Sequence, residues 1–168
     1  MKKSGPAVVF IVVAVFAAVF IGGVIAVLNR PPQTVEEVKN NPPLPVVFED
    51  LNFAVEVPGL MRGHLRETRS QWGSGAETAT RVNLAYESGD LYANVIGFEE
   101  MSETLYEKMK AEGGPMGTLL GKSETGRVVL FWGPQSNPFN EGTPEYTLFY
   151  DFPSRVKVVF ESFRFLDE

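Results

Sequence analysis

Apolar positions run unbroken near the start of the chain and alternate with polar ones only later. Ala7 to Leu28 (AVVFIVVAVFAAVFIGGVIAVL) holds 22 residues without a charge or a polar side chain. Hydrocarbon offers no partners to backbone N–H and C=O groups, so this run is expected to form a transmembrane helix. At 1.5 Å per residue it would span about 33 Å, against a hydrocarbon core of roughly 30 Å. Asn29 to Pro45 (NRPPQTVEEVKNNPPLP) follows as a Pro-rich connector. Fully extended, it reaches about 45 Å, and its prolines make it semi-rigid. Thr34 and Glu37 make a capping-box-like start for one helical turn within it.

From Val46 to Glu168 the pattern is that of one folded domain. Asn52–Val57 places Phe53, Val55 and Val57 on one face and ends at Pro58-Gly59, which reads as a strand and a turn. Arg62–Gln71 and Glu77–Glu87 read as a long hairpin closed near Gly73–Gly75, with Val82, Leu84 and Tyr86 on one face. Leu91–Phe98 is the next strand. Ser102–Glu112 is the one convincing helix: Ser102 caps it, Gly113-Gly114-Pro115 ends it, and Met101, Leu105 and Met109 form its core stripe. Thr118–Lys122 and Arg127–Trp132 read as a second hairpin. Gly133–Pro144 is a long loop, and Glu145–Phe152 and Arg155–Phe160 read as paired strands. Phe160 and Phe163 differ in parity, so a bulge is expected before the final Ser162–Leu166 segment. The expectation is an α+β domain with a largely antiparallel sheet and one packed helix. A β-barrel or sandwich with one helix is the alternative.

The closing Glu161-Ser162-Phe163-Arg164-Phe165 resembles the end of PsbP/Mog1-like domains. That resemblance implies an α+β fold of a kind found in auxiliary and assembly factors. Such domains usually carry a helix before this ending, whereas the pattern here predicts a strand.

Charge divides the chain at the apolar run. Lys2, Lys3 and Arg30 precede Pro31, so twelve Lys and Arg remain against all 21 Asp and Glu, a net of −9 for the C-terminal part within −6 for the chain. A nucleic-acid partner is disfavoured, because phosphate contacts need a basic footprint. Zero cysteines exclude structural disulfides, thiol catalysis and Cys-ligated zinc. The apolar run exceeds a signal-peptide core of about 7–15 residues and lacks a small-x-small cleavage site, so an uncleaved anchor is expected. Lys2 and Lys3 favour residues 1–6 inside and the domain outside, in a bacterial cytoplasmic membrane. Ala14, Ala18, Gly22 and Ala26 share one helix face, a candidate for packing against a second copy or another membrane protein.

No catalytic set, cofactor motif or metal-ligand spacing stands out. Gly117–Ser123 (GTLLGKS) is one residue short of a phosphate loop and precedes a strand. His64, the single histidine, reads as a solvent-facing strand residue. Glu99, Glu100 and Glu103 read as acids suited to a helix start. Four arginines, Arg62, Arg66, Arg69 and Arg81, fall on the expected long hairpin. With Leu65 opposite Val82, Arg66 faces Arg81 and an anionic or protein partner is favoured there; one residue of slip brings Glu67 to Arg81 and leaves an ion-pair ladder. Trp132 and Phe139 mark the long loop as a second candidate contact, with Phe139 either exposed or folded onto the core. The composite expectation is a single-pass, membrane-anchored extracytoplasmic module that binds another envelope or membrane protein. An anchored hydrolase using His64 or the glutamates, and a small-ligand or lipid carrier, are the alternatives.

Overall fold

The fold comes from a computed structural model that describes residues 34–134 and 136–166. The apolar run and its face of Ala14, Ala18, Gly22 and Ala26 lie outside the described residues. Among the described residues, no helix is long and apolar enough to cross a membrane.

Eight strands form two antiparallel sheets, mixed with short helices, so the domain is α+β. The larger sheet has the order β3-β4-β5-β7-β6, from β3 (Leu65–Trp72), β4 (Ala79–Ser88), β5 (Leu91–Ser102), β6 (Thr118–Lys122) and β7 (Arg127–Trp132). The smaller has the order β1-β2-β8, from β1 (Leu44–Phe48), β2 (Phe53–Val57) and β8 (Arg164–Phe165). Phe53, Val55 and Val57 of β2 are buried as the period-two pattern predicts. Their burial is worth about 1.5–3 kcal/mol each. Phe48, Phe53 and Phe98 meet with ring centroids 4.7–5.6 Å apart, tying the small sheet to one face of the large one.

The other face of the large sheet carries the expected helix. Helix α2 (Glu103–Glu112) begins at Ser102, whose Oγ accepts from the Leu105 N–H at 3.2 Å, and stops at Gly113 in the left-handed conformation (φ 70°). Met101 and Leu105 are buried beneath it with Val128 and Leu130. The β3–β4 hairpin closes through Gly73 at φ 84°, where a Cβ would lie 1.9 Å from the Glu77 carbonyl oxygen. That contact is why the turn needs glycine.

The last third of the domain departs from the strand expectation. Glu145–Phe152 and Arg155–Phe160 are not strands; α3 (Pro144–Leu148), α4 (Phe152–Arg155) and α5 (Lys157–Ser162) stand there. The physical signals are those of helix starts. Thr143 Oγ1 accepts from the Tyr146 N–H at 3.1 Å, with Pro144 and Glu145 in the first turn. Pro153 opens α4, and Asp151–Arg155 and Lys157–Glu161 make i,i+4 ion pairs at 2.9 Å. Aromatic and β-branched residues gave this stretch its strand-like look, but Phe152, Val156 and Val159 repeat at helical spacing and contribute to the core. The parity change before Phe163 marks the end of α5 rather than a bulge. A helix does precede the final strand, as in the domains that the ending resembles. The domain thus packs more than one helix.

The second half of the connector is not a free spacer. Its expected turn is helix α1 (Val35–Lys39), whose Val35 and Val38 pack on the main core. Arg155 donates to the Lys39 carbonyl at 2.5 Å, and Arg62 donates to the Pro42 and Pro43 carbonyls at 3.3 and 3.4 Å. β1 already begins at Leu44, so the domain starts near Val35 rather than Val46. Gly59 permits this docking, since a Cβ there would lie 2.2 Å from the Asn41 oxygen and 2.3 Å from that of Pro42. Gly59→Ala is expected to cost about 1–3 kcal/mol. A lower melting temperature for the purified protein, with new protease cleavage between residues 35 and 45, is the outcome to look for.

Candidate functional site

Three adjacent strands and the edge strand β3 aim four side chains at one point on the α2 face. Arg81 of β4 stands directly opposite Glu99 of β5 in the ladder, and Gly97, two residues earlier on the same face, stands opposite Trp132 of β7. Trp72 closes β3 opposite Ala79. The Glu99 side chain is 1% exposed, and its carboxylate accepts from three N–H groups, one on each of three residues. Trp72 Nε1 donates to Oε1 at 2.8 Å, Trp132 Nε1 to Oε2 at 3.2 Å and Arg81 Nε to Oε1 at 3.1 Å, and Arg81 Nη2 lies 2.9 Å from Oε1 in an ion pair. The Arg81 guanidinium also lies 4.8 Å from the Trp132 ring centroid, in cation–π contact. Both tryptophans of the chain therefore converge on one carboxylate. A buried carboxylate is costly unless paired and hydrogen-bonded, and this one is both.

The cluster borders an open cleft of about 490 Å³. Helix α2 ends short of this part of the sheet, and Met109, Glu112, Gly114 and Pro115 form the opposite wall. Gly117 lets the chain run close over Trp132, since a Cβ there would lie 2.9 Å from the indole ring. Trp72 is 40% exposed and Arg81 is 37% exposed. Glu99, on the cleft floor, is sealed beneath them and orients the cluster. Trp72 is exposed, and Arg81, Trp132 and Met109 are half-buried, around a sealed polar anchor.

The four arginines do not form one patch. The observed register puts Leu65 opposite Tyr86 and Ser70 opposite Arg81, which is neither of the pairings the sequence suggested. Arg66 and Arg81 share the α2 face, and Arg69 lies on the other. Arg66 pairs with Glu87 at 3.1 Å and lies over Tyr92. Arg69 is paired with both Glu67 and Asp50, which raise its pKa through their hydrogen bonds. Arg62 is spent on the connector carbonyls. Of the four, Arg81 alone joins Trp132 at the cleft. Phe139 is buried against Tyr86 and Phe149, at centroid distances of 5.6 and 4.9 Å, so it covers the core.

The acidic cluster also divides. Glu103 begins α2 and pairs with Lys122 at 2.8 Å, as a helix-start acid should. Glu99 and Glu100 instead lie inside β5 and are buried on opposite faces of the sheet. Glu100 is paired with Arg127 beside a second, more polar cleft of about 500 Å³ that also includes Asp50, Arg69 and Thr80. His64 precedes β3 and is half-buried. It stacks on Tyr86 at 4.8 Å, and its Nδ1–H donates to the Glu87 carbonyl at 3.0 Å. Gly117–Ser123 spans β6 and the residues on either side of it, with no helix start after it. Among the described residues, no group of three or more His, Asp or Glu is placed to hold a metal ion. Sequence reasoning did not single out Trp72, next to the Gly73–Gly75 turn, and read Glu99 as a helix-start acid. The one available signal was that the chain holds just two tryptophans.

No family model matches the chain, and comparison with curated proteins and with solved structures finds no significant match. Truncation of Glu99 is the sharpest test of the cluster's structure. Glu99→Ala leaves Arg81 and two indole N–H groups without their acceptor and is expected to cost about 3 kcal/mol. Glu99→Gln keeps an acceptor oxygen and is expected to cost less. Thermal melts of the solubilised protein give the order, and tryptophan emission is expected to shift to the red in Glu99→Ala.

Proposed function

We propose that this protein is a membrane-anchored binding module. Residues 7–28 hold it in a bacterial cytoplasmic membrane with the N-terminus inside, and the domain outside docks another envelope or membrane protein. The observation that carries this reading is the convergence of both tryptophans and Arg81 on the sealed Glu99, beside an open cleft. Such a cluster is rigid before a partner arrives, which lowers the entropy lost on binding. A surface built for docking gains from that rigidity. The engagement of His64 with Tyr86 and Glu87 supports docking over hydrolysis. The small-residue face at Ala14, Ala18, Gly22 and Ala26 is proposed as a second contact, inside the membrane.

Crosslinking and pull-down of the full-length protein in mild detergent tests both contacts. Trp72→Ala is expected to reduce capture of a specific partner by at least tenfold while the domain stays folded, because Trp132 and Arg81 still answer Glu99. The Ala18→Leu, Gly22→Leu double variant is expected to weaken capture separately. A partner set unchanged by Trp72→Ala removes the cleft from the proposal, and one unchanged by the double variant removes the helix face.

A further inference from the structure

Within the docking reading above, on which this inference rests, the cleft itself indicates what kind of side chain it takes. Its built-in cation, Arg81, is answered by Glu99 and already occupies the face of Trp132. Among the described residues, no cation lies over Trp72, although the residue is 40% exposed and indole is the strongest π-face for a cation. Across the cleft stands Glu112, the last residue of α2. A helix C-terminus carries partial negative charge and favours cations, so a carboxylate there is misplaced on stability grounds alone. The lysines of the same helix do not bond it. The Lys108 ammonium is bonded to Glu77 at 2.8 Å and is influenced by Glu112 only through space, while Lys110 lies 3.9 Å from Glu107. Between the indole and the carboxylate, Met109 and Pro115 supply apolar wall. The features together are a π-face, an anion opposite it and an apolar lining between them. They complement a long side chain with an apolar stem and a cationic head. The net charge of −9 beyond Pro31 adds a field that draws a basic partner in.

We propose that the Trp72–Glu112 cleft receives an arginine or lysine side chain from a basic segment of the partner protein. Its cation rests on the open face of Trp72 and pairs with Glu112, while its stem lies along Met109 and Pro115. Arg81 and Glu99 form the fixed floor against which that side chain is held.

Because the chain's two tryptophans both belong to the site, intrinsic fluorescence of the full-length protein reports on it directly. The protein in nonionic detergent is titrated with a short acetylated peptide carrying Leu-Arg-Leu. A matched peptide carries citrulline, the neutral isostere of arginine. The arginine peptide is expected to change the emission saturably, to bind about tenfold more tightly than the citrulline peptide, and to weaken as salt is raised. Glu112→Gln is expected to weaken arginine-peptide binding about fivefold while raising the melting temperature by about 1–3 °C, since it removes a charge unfavourable at the helix end. Equal affinity for the two peptides overturns the basic side chain but leaves the cleft a docking site for apolar chains. Binding of neither peptide also overturns it, and the docking reading then falls only if partner capture survives Trp72→Ala. Glu112→Gln binding the arginine peptide as wild type does overturns the assigned role of Glu112.

Discussion

A carboxylate sealed inside a sheet must be answered where it stands, and the answer to Glu99 organises the cleft face of this domain. Water cannot reach it, so each lone pair needs a donor from the protein. The donors come from β3, β4 and β7, three strands that β5 brings into line. The bond to Glu99 fixes both rings and the guanidinium between them. Stability and the geometry of the cluster thus rest on the same interaction.

The position of the cleft follows from how the large sheet is covered. One face is closed by the small sheet and the C-terminal helices around Phe48, Phe53, Phe98, Phe149 and Phe152. The other is closed only as far as α2 extends, and Gly113 stops that helix short of Trp132's end of the sheet. Glu100, one residue beyond Glu99, meets the opposite face and takes Arg127 as its partner. Successive strand residues point to opposite faces, so two adjacent glutamates serve two separate surfaces. The docked connector completes the arrangement at the other end of the chain, where Gly59, Arg62 and Arg155 hold residues 35–45 to the domain.

Sequence periodicity carried much of the fold. The β3–β4 hairpin, β5, α2 and the β6–β7 hairpin stand where alternation, capping and turn residues put them, because each is a local preference reinforced by one apolar face. The run from Glu145 to Phe160 failed for an equally local reason. Its aromatic and β-branched residues favour strands, and only contact with β2 and the core shows that Phe152, Val156 and Val159 line one side of successive short helices. The Ser162 hydroxyl, bonded to the Val158 carbonyl and accepting from the Glu56 N–H at 2.7 Å each, fastens those helices to the small sheet.

By itself the sequence determined the α+β class, the acidic domain, the apolar run expected to anchor it and the glycine-closed turns. All of these depend on composition or on neighbours a few positions away. The tertiary structure decided the β3–β4 register, which split Arg66, Arg69 and Arg81 between two faces and left Arg81 with the tryptophans. It also decided that Glu99 is an anchor and not a helix-start acid, and that Phe139 belongs to the core. Trp72, Arg81, Glu99 and Trp132 are separated by as many as 60 positions in the chain. Their meeting is set by strand order and register, which no local pattern encodes.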